Sequence, residues 1–113
     1  MRLHTRIAPT PSGYLHTGNA VSFVLTWLWV RKEGGVLRLR IDDIDETRVK
    51  PGYIDDVFST LEWLGLDWDE GPRTHDEHEQ KFSQSLRGPR YEAIIEELIA
   101  GGHVFACNCS RKK

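Results

Sequence analysis

RIAPTPSGYLHTGN, residues 6–19, is the stretch that decides the fold of this chain. A short apolar strand is predicted over residues 4–8, and it must end there because Pro9 and Pro11 have no amide to donate to a β-ladder. Gly13 supplies a turn, and His16 stands where a long apolar segment begins. This order favours anion binding, since the first amides of a helix lack intrahelical partners and the helix dipole attracts negative charge.

The apolar segment that follows predicts a helix over residues 18–32. Asn19, Ser22 and Thr26 share one face, and nearly all other positions are apolar. A helix that is apolar over most of its circumference is usually buried, so we expect a buried helix here. Gly34-Gly35 is a typical helix end.

Residues 36–42 alternate between apolar and charged side chains, which predicts a strand with one buried face. Strand, helix and strand in succession predict parallel strands joined by a right-handed crossover. We therefore expect an α/β fold with a parallel sheet. The alternating residues are Leu37, Leu39 and Ile41 on one face and Arg38, Arg40 and Asp42 on the other.

Composition narrows the class of protein. A chain of 113 residues with 39% hydrophobic residues predicts one domain with a real core, and a net charge of −2 gives no basic footprint for nucleic acid. The apolar run at residues 20–30 is too short to cross a bilayer, and the N-terminus lacks the order of a signal peptide. We expect a cytoplasmic protein with no membrane partner. The tryptophans are expected in the core or at its rim: Trp27, Trp29, Trp63 and Trp68.

A second helix is predicted over residues 51–64. Pro51 occupies a favourable first position, and an apolar stripe follows at helical spacing. Asp55 and Asp56 are expected in the first turn, where negative charge is favourable.

The last part of the chain predicts a connection, a helix and a strand. Residues 66–90 are mostly polar, with breakers at Gly71-Pro72 and Gly88-Pro89, so we expect an irregular connection with room for part of another helix. Residues 91–99 predict an amphipathic helix and residues 104–107 a short final strand.

His16, Thr17 and Gly18 form the first group suited to chemistry. An imidazole at a helix N-terminus can donate a hydrogen bond to a phosphate, and Gly18 lets a ligand approach the backbone closely. The alternative is that His16 is a surface residue in the cap region. The glycine spacing matches neither the GxGxxG fingerprint nor the P-loop.

An acidic loop, DDIDET at residues 42–47, follows the second predicted strand. Three interpretations are open. The carboxylates hold Mg²⁺, or they are solvated and pair with Arg48 or Lys50, or Asp42 binds a substrate ammonium at the carboxyl end of its strand.

Cys107 and Cys109 are the two cysteines of the chain. Two thiolates this close can face one Zn²⁺, but a structural zinc takes four ligands. The spacing therefore predicts either reduced thiols or an incomplete zinc site.

Four blocks of sequence, in order, resemble class I glutamyl-tRNA synthetases and their relatives. Residues 6–19 resemble the opening of that family, which contains its first signature, usually written HIGH. The other blocks are residues 37–45, 61–72 and 105–112. Four blocks in the family's order are more specific than any one alone. The resemblance implies a Rossmann-like nucleotide-binding fold.

The resemblance also implies an aminoacyl-tRNA ligase that uses ATP with Mg²⁺, L-glutamate and tRNA. Glutamate's carboxylate attacks the α-phosphate, pyrophosphate leaves, and glutamyl-adenylate passes its acyl group to RNA. Arg6 would bind the side-chain carboxylate, and Asp42 the α-ammonium. The implied catalytic residues are His16, Gly18 and Asn19; the amino-acid site is Arg6, Ala8, Thr10 and Asp42; and the ATP site is Pro11, Ser12, Gly13, His16, Thr17 and Gly18.

The chain departs from the family pattern at three places. Thr17 and Asn19 replace the second and last residues of HIGH, which is ordinary variation in this subfamily. Asp42 stands where the glutamyl branch usually has glutamate and the glutaminyl branch has aspartate, so a glutaminyl-type enzyme is an alternative. The lysine-rich KMSKS signature is absent. We therefore expect residues 1–113 to be one partial catalytic domain without an anticodon-binding domain, inactive or weakly active alone.

Cys107-X-Cys109 followed by Ser-Arg-Lys favours the glutamyl-Q tRNA(Asp) synthetases within this family. These short paralogues charge glutamate onto a queuosine base in the anticodon rather than onto the tRNA acceptor end. We expect a monomer, with zinc in a longer parent. Two alternatives from other classes are a non-catalytic nucleotide-binding fragment and a small zinc-dependent interaction domain.

Overall fold

The computed structural model describes residues 2–110, which form a βαβ unit followed by further helices. A five-residue π-helical turn at His78–Phe82 and a 3-10 turn at Gln84–Arg87 lie between the last two α-helices. The strands are β1 (His4–Ile7) and β2 (Val36–Leu39), and the helices are α1 (Thr17–Lys32), α2 (Pro51–Trp63), α3 (His75–Glu77) and α4 (Gly88–Ala100).

β1 and β2 pair in parallel, with α1 as the connection between them. The register places His4 opposite Val36 and Ile7 opposite Leu39. This confirms the predicted α/β fold with a parallel sheet. Residues 69–70 lie along the other edge of β2, where the Leu39 amide donates to the Glu70 carbonyl at 2.8 Å.

β2 ends earlier than the predicted range of residues 36–42, although backbone contacts continue past its end. The Arg40 amide donates to the Ile7 carbonyl and the Asp42 amide to the Pro9 carbonyl, each at 2.9 Å. These bonds keep Asp42 beside the carboxyl end of β1.

The core lies on one face of the sheet, where α1 and α2 cover the apolar side chains of both strands. The Leu37, Val57 and Leu61 side chains have no exposed surface. The other face carries arginines. The buried apolar residues are Ile7, Phe23, Val30, Leu37, Leu39, Ile41, Ile54, Val57, Leu61 and Leu66.

The prediction that α1 is a buried helix was wrong for most of its surface. Phe23 and Val30 are its only buried apolar residues, whereas Leu25 is 61% and Trp29 67% exposed. One stripe of the helix contacts the sheet, and within residues 2–110 nothing covers the opposite side.

The tryptophans divide between the rim of the core and the surface. Trp27 and Trp68 are half-buried and donate their indole N–H to the Asp67 carboxylate at 2.7 Å and the Pro72 carbonyl at 3.0 Å. The prediction was wrong for Trp29 and Trp63, since Trp63 is 82% exposed at the end of α2.

Asp55 and Asp56 were wrongly expected in the first turn of α2. The helix begins at Pro51, so both carboxylates lie beyond that turn. Each instead holds a distant segment: Asp56 Oδ2 accepts from the Leu15 amide at 2.7 Å, and Asp55 Oδ1 lies 2.6 Å from His75 Nδ1.

The segment at residues 66–90 is more regular than its composition predicts. It contains α3 and the two turns, which confirms the expectation of further helix. The Gly88-Pro89 pair opens α4 instead of breaking the chain, because proline is favourable in the first turn of a helix. The strand predicted at residues 104–107 is wrong, since these residues are irregular and have no partner strand within the described part of the chain.

Candidate active site

The turn between β1 and α1 is held against α2. The Ser12 amide donates to the Thr10 carbonyl at 2.9 Å, which closes the turn. The Asp56 carboxylate binds the backbone amide just before His16, and the Tyr14 ring packs edge-on against Tyr53 with centroids 5.0 Å apart. The N-terminus of α1 is therefore positioned by contacts from another helix.

His16 is the N-cap residue of α1. Its Nδ1 accepts a hydrogen bond from the Gly18 amide at 3.0 Å, and the Asn19 side-chain oxygen accepts from the His16 amide at 3.0 Å. A Cβ at position 18 would lie 2.9 Å from Cε1 of this ring. A larger residue at position 18 would therefore push the imidazole away from its capping position.

This cap fixes how the His16 ring can act. Since Nδ1 accepts from Gly18, a neutral imidazole carries its proton on Nε2. The ring is exposed, so the Nε2–H can donate to a ligand above the helix N-terminus. The Gly18 amide already has a partner in His16, and the imidazole is therefore the donor that this end of α1 presents.

A cavity of about 400 Å³ lies beside the carboxyl end of β1. It brings together four of the residues predicted for the site: Arg6, Ala8, Thr10 and Asn19. Sequence reasoning placed Ser22 and Thr26 on the Asn19 face of α1 but gave them no role in a site, although both line this cavity.

One hydroxyl and one cation at this cavity have different roles. The Thr26 hydroxyl donates to the Ser22 carbonyl at 2.8 Å, so its proton is committed to the helix. The Arg6 guanidinium brings a positive charge that suits a carboxylate or phosphate.

The Asp42 amide is bound to the carbonyl of Pro9, which lines this cavity. The Asp42 side chain is paired with Arg40. Arg40 Nε and Nη2 contact the two carboxylate oxygens at 2.7 and 3.0 Å, a bidentate arrangement. The hydrogen bond to Asp42 raises the pKa of Arg40 despite partial desolvation. An ammonium group would share the Asp42 carboxylate with Arg40.

Asp43 is buried and forms the centre of a polar cluster that sequence reasoning missed. Its Oδ2 accepts from His78 Nε2 at 2.8 Å and from the Ser83 hydroxyl at 2.7 Å, and its Oδ1 accepts from the Gln84 amide at 2.8 Å. Burial opposes ionisation, but the bonds from Ser83, Gln84 and His78 together lower the pKa of Asp43. Because the partners lie 35 to 41 positions away, no local pattern could have revealed this cluster.

No carboxylate of the acidic loop forms an ion pair with Arg48 or Lys50 in the described part of the chain, so that predicted pairing was wrong. Asp42 binds Arg40, Asp43 is buried, and Asp45 accepts from the Thr47 hydroxyl at 2.6 Å. Across residues 2–110 no three His, Cys, Asp or Glu side chains converge in a manner suited to a metal ion. The loop carboxylates therefore do not form a ready Mg²⁺ site by themselves.

Cys107 and Cys109 are exposed and reduced. The Cys109 amide lies 3.5 Å from Cys107 Sγ, and hydrogen bonding from Cys109 lowers the pKa of Cys107. A lower pKa favours the thiolate, the form that binds metal. In the described part of the chain these two thiols have no further ligands near them, so they do not complete the four-ligand set of a structural zinc.

No helix within residues 2–110 combines the length and the apolar character that crossing a membrane requires.

The fold and the site together define an α/β domain with a parallel sheet and a histidine at the N-terminus of its crossover helix. Residues 2–113 match the sequence model of the family described as tRNA synthetases class I (E and Q), catalytic domain. The chain belongs to this family, as the resemblance predicted.

Named relatives agree with this assignment. A glutamate–tRNA ligase from Anaeromyxobacter sp. (strain Fw109-5) is 44% identical over 106 residues, which cover 94% of this chain and 22% of the relative. One from Anaeromyxobacter dehalogenans (strain 2CP-C) is 44% identical over 108 residues, covering 96% and 23%. The chain thus spans less than a quarter of the length of these relatives.

Solved structures give the same assignment. The crystal structure of a glutamate tRNA ligase from Elizabethkingia meningosepticum CCUG26117 in complex with its amino acid matches with a TM-score of 0.70 and 30% identity. The match covers 88% of this chain and 20% of that one. A glutamate–tRNA synthetase from Elizabethkingia anophelis gives the same values.

Proposed function

We propose that this chain supplies the HIGH-signature part of a glutamate–tRNA ligase and contributes binding groups for ATP and L-glutamate. The observation that carries the proposal is the cavity at the end of β1, where Arg6, Ala8, Thr10 and Asn19 lie together. His16 caps the adjacent helix with an exposed Nε2 directed away from the cap. Arg6 lies near the carboxyl end of β1, and Asp42 follows the carboxyl end of the parallel strand β2.

The proposed reaction has two steps. A carboxylate oxygen of glutamate attacks the α-phosphorus of ATP, the bond to the β-phosphate oxygen breaks, and pyrophosphate leaves with glutamyl-adenylate remaining. A nucleophilic oxygen of RNA then attacks the acyl carbon and releases AMP. Mg²⁺, when bound with ATP, neutralises phosphate charge.

The residues of this chain would bind and orient the reactants. The His16 Nε2–H would donate to a phosphate oxygen, and removing such a donor typically lowers a rate by about 10²–10³. Arg6 would bind the side-chain carboxylate of glutamate, and Asp42 its ammonium, while Ala8 and Thr10 line the pocket. Pro11, Ser12, Gly13 and Thr17 would shape the backbone around ATP.

The acceptor, the domain organisation and the cellular site are part of the same proposal. The acceptor is a tRNA, with the queuosine base of the glutamyl-Q type as the specific form favoured by Cys107-X-Cys109. Residues 1–113 would be one partial catalytic domain of a monomeric enzyme. The exposed thiols of Cys107 and Cys109 are compatible with the reducing cytoplasm and would bind zinc only with further ligands.

ATP–pyrophosphate exchange tests the proposal. The protein expressed from its complete gene should exchange label into ATP with L-glutamate. Exchange with glutamine in place of glutamate would assign the glutaminyl specificity that Asp42 raises. Binding of ATP without exchange on either amino acid would leave the non-catalytic nucleotide-binding alternative and contradict the proposal.

A further inference from the structure

We propose that Gln84 is a positioning residue that orients the Asp42 carboxylate, and that the buried Asp43–His78–Ser83 cluster holds Gln84 in place. The inference rests on the proposed function in so far as Asp42 binds the amino-acid substrate. It adds a segment far from the HIGH signature to that site.

The buried cluster provides a fixed base. The His78 side chain has no exposed surface and Asp43 is 6% exposed, so the desolvation cost must be offset by hydrogen bonds. Asp43 receives three of them, from His78, Ser83 and the Gln84 amide. The loop after β2 and the turn at Gln84–Arg87 are therefore joined through a buried carboxylate.

The Gln84 side chain contacts the residues on either side of Asp43, which are Asp42 and Ile44. Its side-chain oxygen accepts from the Ile44 amide at 3.1 Å, and its Nε2 lies 3.5 Å from Asp42 Oδ1. The carboxamide thus spans the loop from residue 44 back to residue 42. Its backbone amide is anchored to Asp43 at the same time.

Asp42 has two side-chain partners, Arg40 and Gln84. Arg40 binds both carboxylate oxygens, but its side chain is 42% exposed. The bidentate pair aligns the carboxylate with the guanidinium, but its exposed side leaves the pair open to solvent. Gln84 approaches Oδ1 at 3.5 Å from a turn whose backbone is anchored to the buried Asp43, so it adds a second, weaker constraint on the carboxylate from the side of the core.

The inference predicts an effect on the amino acid and not on ATP. Gln84→Leu replaces the carboxamide with a slightly shorter apolar side chain and so removes both side-chain hydrogen bonds. We expect KM for glutamate in exchange to rise by up to about tenfold, as the loss of one or two modest hydrogen bonds implies. KM for ATP should stay within about twofold, since nothing in the cluster contacts the His16 end of the site.

His78 supplies the second arm of the experiment. His78→Gln keeps an N–H at the position of Nε2 and should preserve the wild-type KM for glutamate. His78→Leu removes that donor and should reproduce the Gln84→Leu effect if it folds. Gln80→Leu, an exposed glutamine of the same segment, is the matched control and should change neither KM.

A measurement without catalysis separates this inference from the proposed function. In the same proteins, the NMR shifts of the Asp42 carboxyl carbon and the Ile44 amide should move in Gln84→Leu and stay in place in Gln80→Leu. An unmoved Asp42 resonance in Gln84→Leu, or equal rises in KM for glutamate and ATP, would overturn the inference. If the wild-type protein exchanges with neither amino acid, the proposed function fails and the Asp42 resonance alone decides the positioning role.

Discussion

At the scale of single residues, the His16 imidazole uses one nitrogen for the fold and leaves the other for a ligand. Nδ1 caps α1 through the Gly18 amide, while Nε2 takes no part in the cap of this exposed residue. The same ring therefore caps the helix and is the proposed donor to a ligand, so truncating His16 to alanine would affect both the stability of α1 and ligand binding. A substitution that keeps the cap is needed to separate them.

His16→Asn and His16→Ala form such a pair. Asparagine is a good N-cap and can accept from the Gly18 amide, whereas alanine loses about 1 kcal/mol of capping energy. We expect both variants to lower the exchange rate by about 10²–10³, and alanine alone to lower stability. Exchange kinetics and urea unfolding measure the two effects. An asparagine variant with wild-type exchange would remove the imidazole from the reaction.

Asp43 makes the free energy of unfolding depend on pH in the acidic range. Its pKa is lowered in the folded state, so its contribution is present above the ordinary value of about 3.9 and is lost as pH falls through the lower folded pKa. Asp43→Asn leaves one acceptor oxygen where the carboxylate uses two, so it cannot accept from the Gln84 amide as well as from His78 and Ser83. We expect a loss of about 2–4 kcal/mol at pH 7.

Urea unfolding at pH 7 and pH 3 measures this contribution. The asparagine variant should lose less stability between the two pH values than the wild type, with the remainder carried by Asp67, Asp69 and Glu70, whose pKa values are also lowered. Asp45→Asn, at an exposed position of the same loop, should leave stability nearly unchanged. A stable Asp43→Asn protein would show that the cluster contributes little to folding.

At the scale of elements, α1 packs on the sheet with one stripe, and its other side is apolar but exposed. Leu25 is 61% exposed, whereas Leu61 of α2 is fully buried against the strands. Leu61→Ala should therefore cost about 2–5 kcal/mol of unfolding free energy, and Leu25→Ala about 0.5 kcal/mol or less. Thermal or urea unfolding of the two variants makes the comparison, which similar losses in both would contradict.

Sequence periodicity was enough to predict the elements that repeat a local pattern. β2 follows from the alternation of Leu37, Arg38 and Leu39, and α2 from an apolar stripe after Pro51. The pattern could not predict which side of α1 would be covered, because composition alone does not say what packs on a helix. The strand expected at residues 104–107 failed because an extended apolar segment forms a strand only with a partner.

The candidate site was predictable to the extent that it follows the β1–α1 turn. Arg6, Ala8 and Thr10 came from a resemblance to a family, and the cavity places them together with Asn19. The Asp43 cluster was not predictable, because its four members come from two segments and are brought together only by the fold. His78 in particular lies in a polar stretch that gives no sign of burial.

At the scale of the whole molecule, the sheet has two strands within residues 2–110, and the Arg38 side chain is 54% exposed. Parallel sheets are usually covered on both faces. The chain spans less than a quarter of the length of its glutamate–tRNA ligase relatives, so the complete reaction is a proposal for the whole protein.

The measurement that tests the central claim most directly is ATP–pyrophosphate exchange by the protein expressed from its complete gene, with glutamate and glutamine supplied separately. We predict exchange that depends on glutamate and falls by about 10²–10³ in His16→Asn while the protein stays folded. Absence of exchange with both amino acids, in a folded protein that binds ATP, would contradict the account.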